Sequence, residues 1–173
     1  MSLYKQSAVQ MSNMLRNLDA CLDKAIACAQ AKEASPDDFL HFRLSPDMRP
    51  FVFQIQSCCD SAKFAAARLA GVEAPSHPDE EKTMAELKQR IAATVEFLDS
   101  LEESQFAGAA EREVRLSFLP GMAIKGADYM REFATPNFYF HVTTAYDLLR
   151  LAGVGLGKRD FIGPKLSLYP VAD

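Results

Sequence analysis

The residues of this chain best suited to chemistry lie on an apolar helix near its end and on a second helix whose polar groups stand among phenylalanines. The segment from Pro136 to Gly157 reads P-N-F-Y-F-H-V-T-T-A-Y-D-L-L-R-L-A-G-V-G-L-G and carries one histidine, His141. Residues four apart share a helix face, so a second metal ligand on this helix would stand at Asn137 or Ala145. Neither is an imidazole, thiolate or carboxylate, which leaves His141 as a lone candidate metal ligand. A single imidazole beside a core stripe also serves as a base or as a hydrogen-bonded structural group. The other helix supplies Gln54, Gln56, Ser57 and Asp60. Gln54 flanks its apolar seam, while Gln56 and Asp60 are one turn apart beside Phe53 and Phe64. An amide and a carboxylate in such company need partners when buried. A ligand site, a subunit contact or an internal network would each supply them, and Lys63 can pair with Asp60 directly. His141, Asn137, Gln54, Gln56 and Asp60 are therefore the candidate pocket residues.

Other signatures are missing from the sequence. There is no G-x-G-x-x-G after a strand, no Walker loop, no G-x-S-x-G elbow and no H-E-x-x-H. His41 and His77 fall in connections far from any motif. Asn137-Phe138-Tyr139-Phe140 sets three aromatics in a row, which helical periodicity sends to different faces, with core packing as the default role.

A chain of 173 residues that is 49% hydrophobic and 24% charged has the size and balance of one domain with one substantial core. The net charge of −4 and the pI near 5.4 argue against nucleic acid as a partner, because no basic stripe exists to neutralise phosphates. Lys158-Arg159 is a bare pair. No signal-like or membrane-spanning apolar run appears, so the expectation is a cytoplasmic protein without a membrane partner. Cys21, Cys28, Cys58 and Cys59 fit neither a disulfide framework nor a zinc knuckle, and are expected as small reduced hydrophobes.

Four helical patterns position the candidates. Tyr4, Ala8, Met11, Leu15, Leu18, Leu22, Ala25 and Ala29 step by four and three, which predicts a helix over about 3–31. Phe51, Ile55, Cys58, Ala62, Ala65 and Leu69 repeat the steps over about 47–70, with Gly71 as C-cap. Phe53, Phe64 and Ala67 make this helix apolar on a second face, so it is either central to the domain or part of a homodimer interface. A third helix over about 82–102 opens with the capping box Thr83 and Glu86. Met84, Leu87, Ile91, Thr94, Leu98 and Leu101 face its core, and Lys88, Arg90, Glu96 and Asp99 are expected to face solvent.

Alternation of Val114, Leu116 and Phe118, then Pro120-Gly121, then Met122 and Ile124, predicts a short β-hairpin over about 112–126. Residues 127–135 fit no pattern. The last helix is expected over about 136–152, starting at Pro136 and carrying Phe138, Val142, Ala145, Leu149 and Ala152. The tail from Gly155 to Asp173 is expected to lie irregularly on the surface. The expected fold is all-α: a four-helix bundle of residues 1–173 with a hairpin inserted before the last helix.

Three blocks carry a family resemblance: L-S-P-D-M-R-P-F-V-F-Q-I-Q-S-C-C-D-S-A-K (Leu44 to Lys63), N-F-Y-F-H-V-T-T-A-Y-D-L-L-R (Asn137 to Arg150) and G-V-G-L-G-K-R-D-F-I-G (Gly153 to Gly163). With the helix order, they resemble the DinB/YfiT-like bundles, and within them a bacterial family of unknown function. That resemblance implies an antiparallel up-down-down-up bundle, often dimeric. It also implies, for many members, zinc or nickel held by three histidines, one on the second helix and two at i and i+4 on the last. Some members are thiol-dependent transferases using bacillithiol, mycothiol or glutathione-type cosubstrates. Carried onto this chain, His141 matches the later histidine of the pair, Asn137 the earlier, and Gln56 or Ser57 the one on the second helix. One of the three ligand positions is kept. The expectation is a small-molecule pocket near His141, with a metal-dependent transferase or hydrolase as the alternative.

Overall fold

The computed structural model describes residues 2–168 and residue 170. Its long helices are α1 (Gln10–Ala31, led in by a π-helical stretch at Lys5–Val9), α2 (Phe51–Ala70), α3 (Met84–Asp99) and α5 (Thr135–Leu151). Strands β1 (Glu113–Val114) and β2 (Ile124–Lys125) and the short helices α4 (Gly126–Tyr129) and α6 (Lys158–Ile162) complete the regular structure, with 3-10 turns at Pro36–His41 and Glu103–Phe106. α2 packs along both α5 and α3, α1 packs along α3 and less on α5, and α1 and α2 barely meet. The bundle is thus a ring in the order α1–α3–α2–α5, and the long connection after α1 crosses its diagonal.

The apolar stripes form the core as their spacing requires. Phe51, Ile55, Cys58, Ala62, Ala65 and Leu69 of α2 are wholly buried, as are Leu15, Leu22 and Ala25 of α1. Thr83 and Glu86 form the reciprocal capping box of α3, and Gly71 ends α2 in the left-handed conformation with φ 73°. All four cysteines are free thiols. Burial raises the Cys58 thiol well above its ordinary value and pushes Cys21 up to about 11.

Five expectations need correction. The second helix opens at Phe51 rather than at about 47, because Pro50 stands at its N-cap in an extended conformation with ψ 172°. The last helix does not begin at Pro136. α4 opens at Gly126 and runs through a π-helical stretch, Met130–Ala134, straight into α5. Proline disfavours the helical conformation of the residue before it, yet Thr135 holds φ −64° and ψ −52°. Burial of Tyr129, Met130 and Ala134 against the bundle offsets that cost, and the wider π turn falls just where the proline ring removes a helix N–H donor.

The hairpin is shorter than the alternation suggests. Only Glu113↔Lys125 and Val114↔Ile124 pair, antiparallel. Beyond them the chain curls into a turn in which the Leu119 amide donates to the Leu116 carbonyl, leaving Phe118 60% exposed. The tail is not wholly irregular either. α6 packs on α1, pinned by the Asn17 amide donating to the Phe161 and Ile162 carbonyls. The residues after 170 lie outside the described set. Finally, Arg90 is buried, 4% exposed, rather than solvent-facing.

Gly126 is where hairpin and last helix join. A Cβ there would overlap the Ala109 carbonyl oxygen and stand 2.9 Å from the Leu69 side chain. Gly126→Ala is expected to lower stability by about 1–3 kcal/mol, since a backbone oxygen cannot swing aside. Urea unfolding of the variant checks this, and an unchanged midpoint would contradict it.

Candidate functional site

Between α2 and the α4–α5 helix lies a cleft of about 310 Å³. On α2 its lining residues include Phe53, Ser57, Ser61, Phe64 and Arg68, and on the opposite helix Tyr129, Phe133, Asn137 and His141. Both rows advance almost entirely by fours. In a straight α-helix each step of four over-rotates by about 40°. The π turn at Met130–Ala134 spends more residues per turn, which counters the drift and keeps Tyr129 and Phe133 in line with Asn137 and His141.

Four of the five sequence candidates line this cleft: His141, Asn137, Gln56 and Asp60. Gln54 does not, but its Oε1 lies 2.8 Å from His141 Nδ1. The amide orientation is set by its other end, where Gln54 Nε2 donates to the Arg49 carbonyl at 3.0 Å. Oε1 can only accept, so Nδ1 carries the ring proton and Nε2 keeps its lone pair. Nε2 is neither bonded nor fully buried among the described residues. Burial lowers the His141 pKa below its ordinary 6.5, so the ring is neutral at pH 7. Phe53 and Phe140 hold it edge-on, with centroids 5.9 and 5.2 Å away.

Asn137 Nδ2 donates to Ser61 Oγ at 2.6 Å, and that hydroxyl donates to the Ser57 carbonyl at 2.6 Å. Gln56 Nε2 donates to Glu81 at 2.9 Å. Asp60 belongs to an ionic network: its Oδ1 lies 2.9 Å from both Lys63 and Arg90, and Arg90 also binds Asp79 and Glu81 at 2.9 Å each. Burial opposes the Arg90 charge, but Glu81 and Asp60 outweigh it and raise its pKa. For Glu81, burial works upward, and the bonds from Arg90 and Gln56 overcome it and lower the carboxyl.

Several contributors escaped the sequence reading. Arg90 is the hub of the network although it follows no apolar stripe. Arg68 lies over the rings of Phe64 and Tyr129, at 5.1 and 5.7 Å, and donates to the Tyr129 hydroxyl at 2.9 Å. Tyr129 and Phe133 stack at 6.0 Å, and Phe118 from the hairpin covers Phe133 at 5.6 Å. The repeat Tyr129, Phe133, Asn137, His141 was the available signal, and it crosses the proline. His41 is exposed. His77 faces a separate, wider depression of about 860 Å³ walled chiefly by Asp79, Glu80, Glu81, Lys82 and Arg90.

Residues 3–162 match a family described as a domain of unknown function, DUF1993. This chain belongs to the DUF1993 family. A crystal structure of a DinB family member protein from Shewanella denitrificans shares 42% identity with it and superposes with a TM-score of 0.93, covering 97% of this chain and 96% of that one. No curated protein matches the chain. The fold is therefore a mainly helical DinB-like bundle with a small two-stranded sheet.

The cleft of this DUF1993 chain does not fit a DinB-type zinc or nickel site. Among the described residues no group of three or more His, Cys, Asp or Glu side chains is placed to hold a metal ion. At the three corresponding positions stand His141, Asn137 and either Gln56 or Ser57. The amide nitrogens of Asn137 and Gln56 are already spent on Ser61 and Glu81. Neutral amide and hydroxyl oxygens are weak partners for zinc or nickel, and Asp60 is held by two cations.

Nitrogen NMR should find His141 protonated at Nδ1, bare at Nε2 and titrating below pH 6.5. An Nε2–H tautomer, or a titration at or above 6.5, would contradict the geometry. The sign for stability follows from the lowered pKa: the unfolded chain binds the proton first as pH falls. The stabilisation from keeping His141 neutral is full above 6.5 and is lost progressively below it. Gln54→Leu leaves Nδ1–H without its acceptor and should lower stability by about 1–3 kcal/mol in urea unfolding. Arg90→Met, which leaves Asp60 with Lys63 alone and Glu81 with Gln56 alone, should cost about 2–4 kcal/mol; these remaining partners and the partial exposure of the acids place it at the lower side of a broken buried ion pair.

Proposed function

We propose that this protein binds a small organic molecule in the α2–α5 cleft and recognises it through the unprotonated Nε2 of His141. The observation that carries the reading is the Gln54–His141 hydrogen bond, which fixes one tautomer and aims the acceptor nitrogen away from its anchor. Beside it stands Phe53, and Phe133, Phe64 and Tyr129 line the cleft farther along, among polar groups that can fix a ligand's orientation. Asn137 and Gln56 orient the ligand in this reading through their carbonyl oxygens, and Asp60 is a structural neighbour tied into the ionic network.

The metal-dependent, thiol-using transferase or hydrolase implied by the DinB resemblance has less support, because the donor set is poor for zinc or nickel. The chain works as one domain, in the cytoplasm, where four unpaired thiols are at home. Among the described residues no helix is long and apolar enough to cross a membrane. A homodimer loses its main ground: Phe53 and Phe64 serve as cleft walls, and Ala67 is 2% exposed within the chain.

Phenol, a neutral ring with one O–H donor, tests the reading. Titration into labelled protein should shift His141, Asn137 and Phe53, and His141→Ala should weaken binding by about fivefold, the worth of one neutral hydrogen bond. Absence of shifts at these residues would overturn the proposal. So would near-stoichiometric zinc or nickel in protein purified without a histidine tag, if His141→Ala removes it.

A further inference from the structure

The end of the cleft opposite His141 holds a cation with no acid. Arg90 has three carboxylate partners, whereas Arg68 has none among the described residues. Its one polar contact is with the Tyr129 hydroxyl, which burial keeps in its neutral O–H form at pH 7. Arg68 is half-buried, with its guanidinium over the Phe64 and Tyr129 rings. One of its five N–H donors is engaged. The remaining edge is a preorganised planar fork of the kind that takes a carboxylate by two parallel hydrogen bonds.

The acids nearby do not fill that role. Asp60 lies two turns back on α2, about 12 Å by helical rise, and both it and Asp79 are bound to Arg90. Their charge also makes a multiply charged anion unwelcome, which favours a monoanion over a phosphate. From Phe53, beside His141, to Phe64, beneath Arg68, α2 rises about 16 Å; rings stand toward both ends, with Ser57, Asp60, Ser61 and Asn137 among the groups between them. We propose that Arg68 is the anion-binding residue of the cleft and that the ligand is an elongated monocarboxylate. Its carboxylate sits on Arg68 and its far end reaches toward His141. This rests on the reading of the cleft as a small-molecule site, and it names the class of molecule.

Phenylacetate and its neutral isostere phenylacetamide separate the two ideas, because they probe the Arg68 end while phenol probes the His141 end. At low salt, phenylacetate should shift Phe64, Tyr129 and the Arg68 Nε–H signal of the wild-type protein and bind roughly tenfold tighter than phenylacetamide. The preference should shrink as salt rises and should fall below about twofold in Arg68→Gln. Arg68→Lys, which keeps the charge and loses the fork, should retain part of it. Equal affinity of the two compounds in the wild-type cleft overturns the assignment of Arg68 and leaves the phenol result standing. Phenylacetate shifts confined to residues outside the cleft also overturn it. Failure of both compounds to bind, alongside failure of phenol, removes the cleft reading as well. The wild-type comparison decides the matter even if the variants fold poorly.

Discussion

The constraint on which this structure turns is that α2 must be covered on nearly all sides. Its seam residues from Phe51 to Leu69 are wholly buried, and Cys59, Ala66 and Ala67 bury its flanks as well. A helix apolar around most of its circumference has to lie inside. Any polar side chain it carries must then be satisfied by a neighbour or by a ligand. Gln54, Gln56 and Lys63 are all buried on this helix, and their partners set the architecture around them: His141 from α5, Glu81 from the α2–α3 connection, and Asp60 from α2 itself. The cleft is the part of the α2 surface that α3 and α5 leave uncovered.

The two ends of that cleft are built by different physics. At the His141 end, neutral hydrogen bonds and edge-on rings hold an imidazole whose charge is suppressed by burial. At the Arg68 end, ring faces hold a permanent cation. Between them the Arg90 network ties α2, the following connection and α3 together, with each acid there in contact with a cation of the protein.

Most of the scaffold was legible because its signals are local. The four-three steps of α1, α2 and α3, the Thr83–Glu86 box and the Gly71 cap each rest on residues within a few positions of one another. The same held for His141, Asn137, Gln56 and Asp60 as neighbours on their helix faces. What could not be read depended on distant partners. Arg90 looks like a solvent residue until Asp60, Asp79 and Glu81 are brought to it. Arg68 and Tyr129 are sixty-one positions apart in sequence, and nothing near either one announces the other. Pro136 misled for a physical reason: a proline is a boundary signal on average, and only the burial of Tyr129, Met130 and Ala134 shows that the helix continues through it. The hairpin was recognisable by alternation, but its extent depends on how the segment packs.

One consequence of the Gln54–His141 pair bears on what this imidazole is able to do. In hydrolytic triads a carboxylate stands behind the histidine and steadies the imidazolium that forms during turnover. Here the group behind the ring is a carboxamide, whose remaining bond runs to a backbone carbonyl. That arrangement selects a tautomer without compensating positive charge, and it gives a proton on Nδ1 nowhere to go. His141 is the terminus of its hydrogen-bond chain rather than a link in a relay.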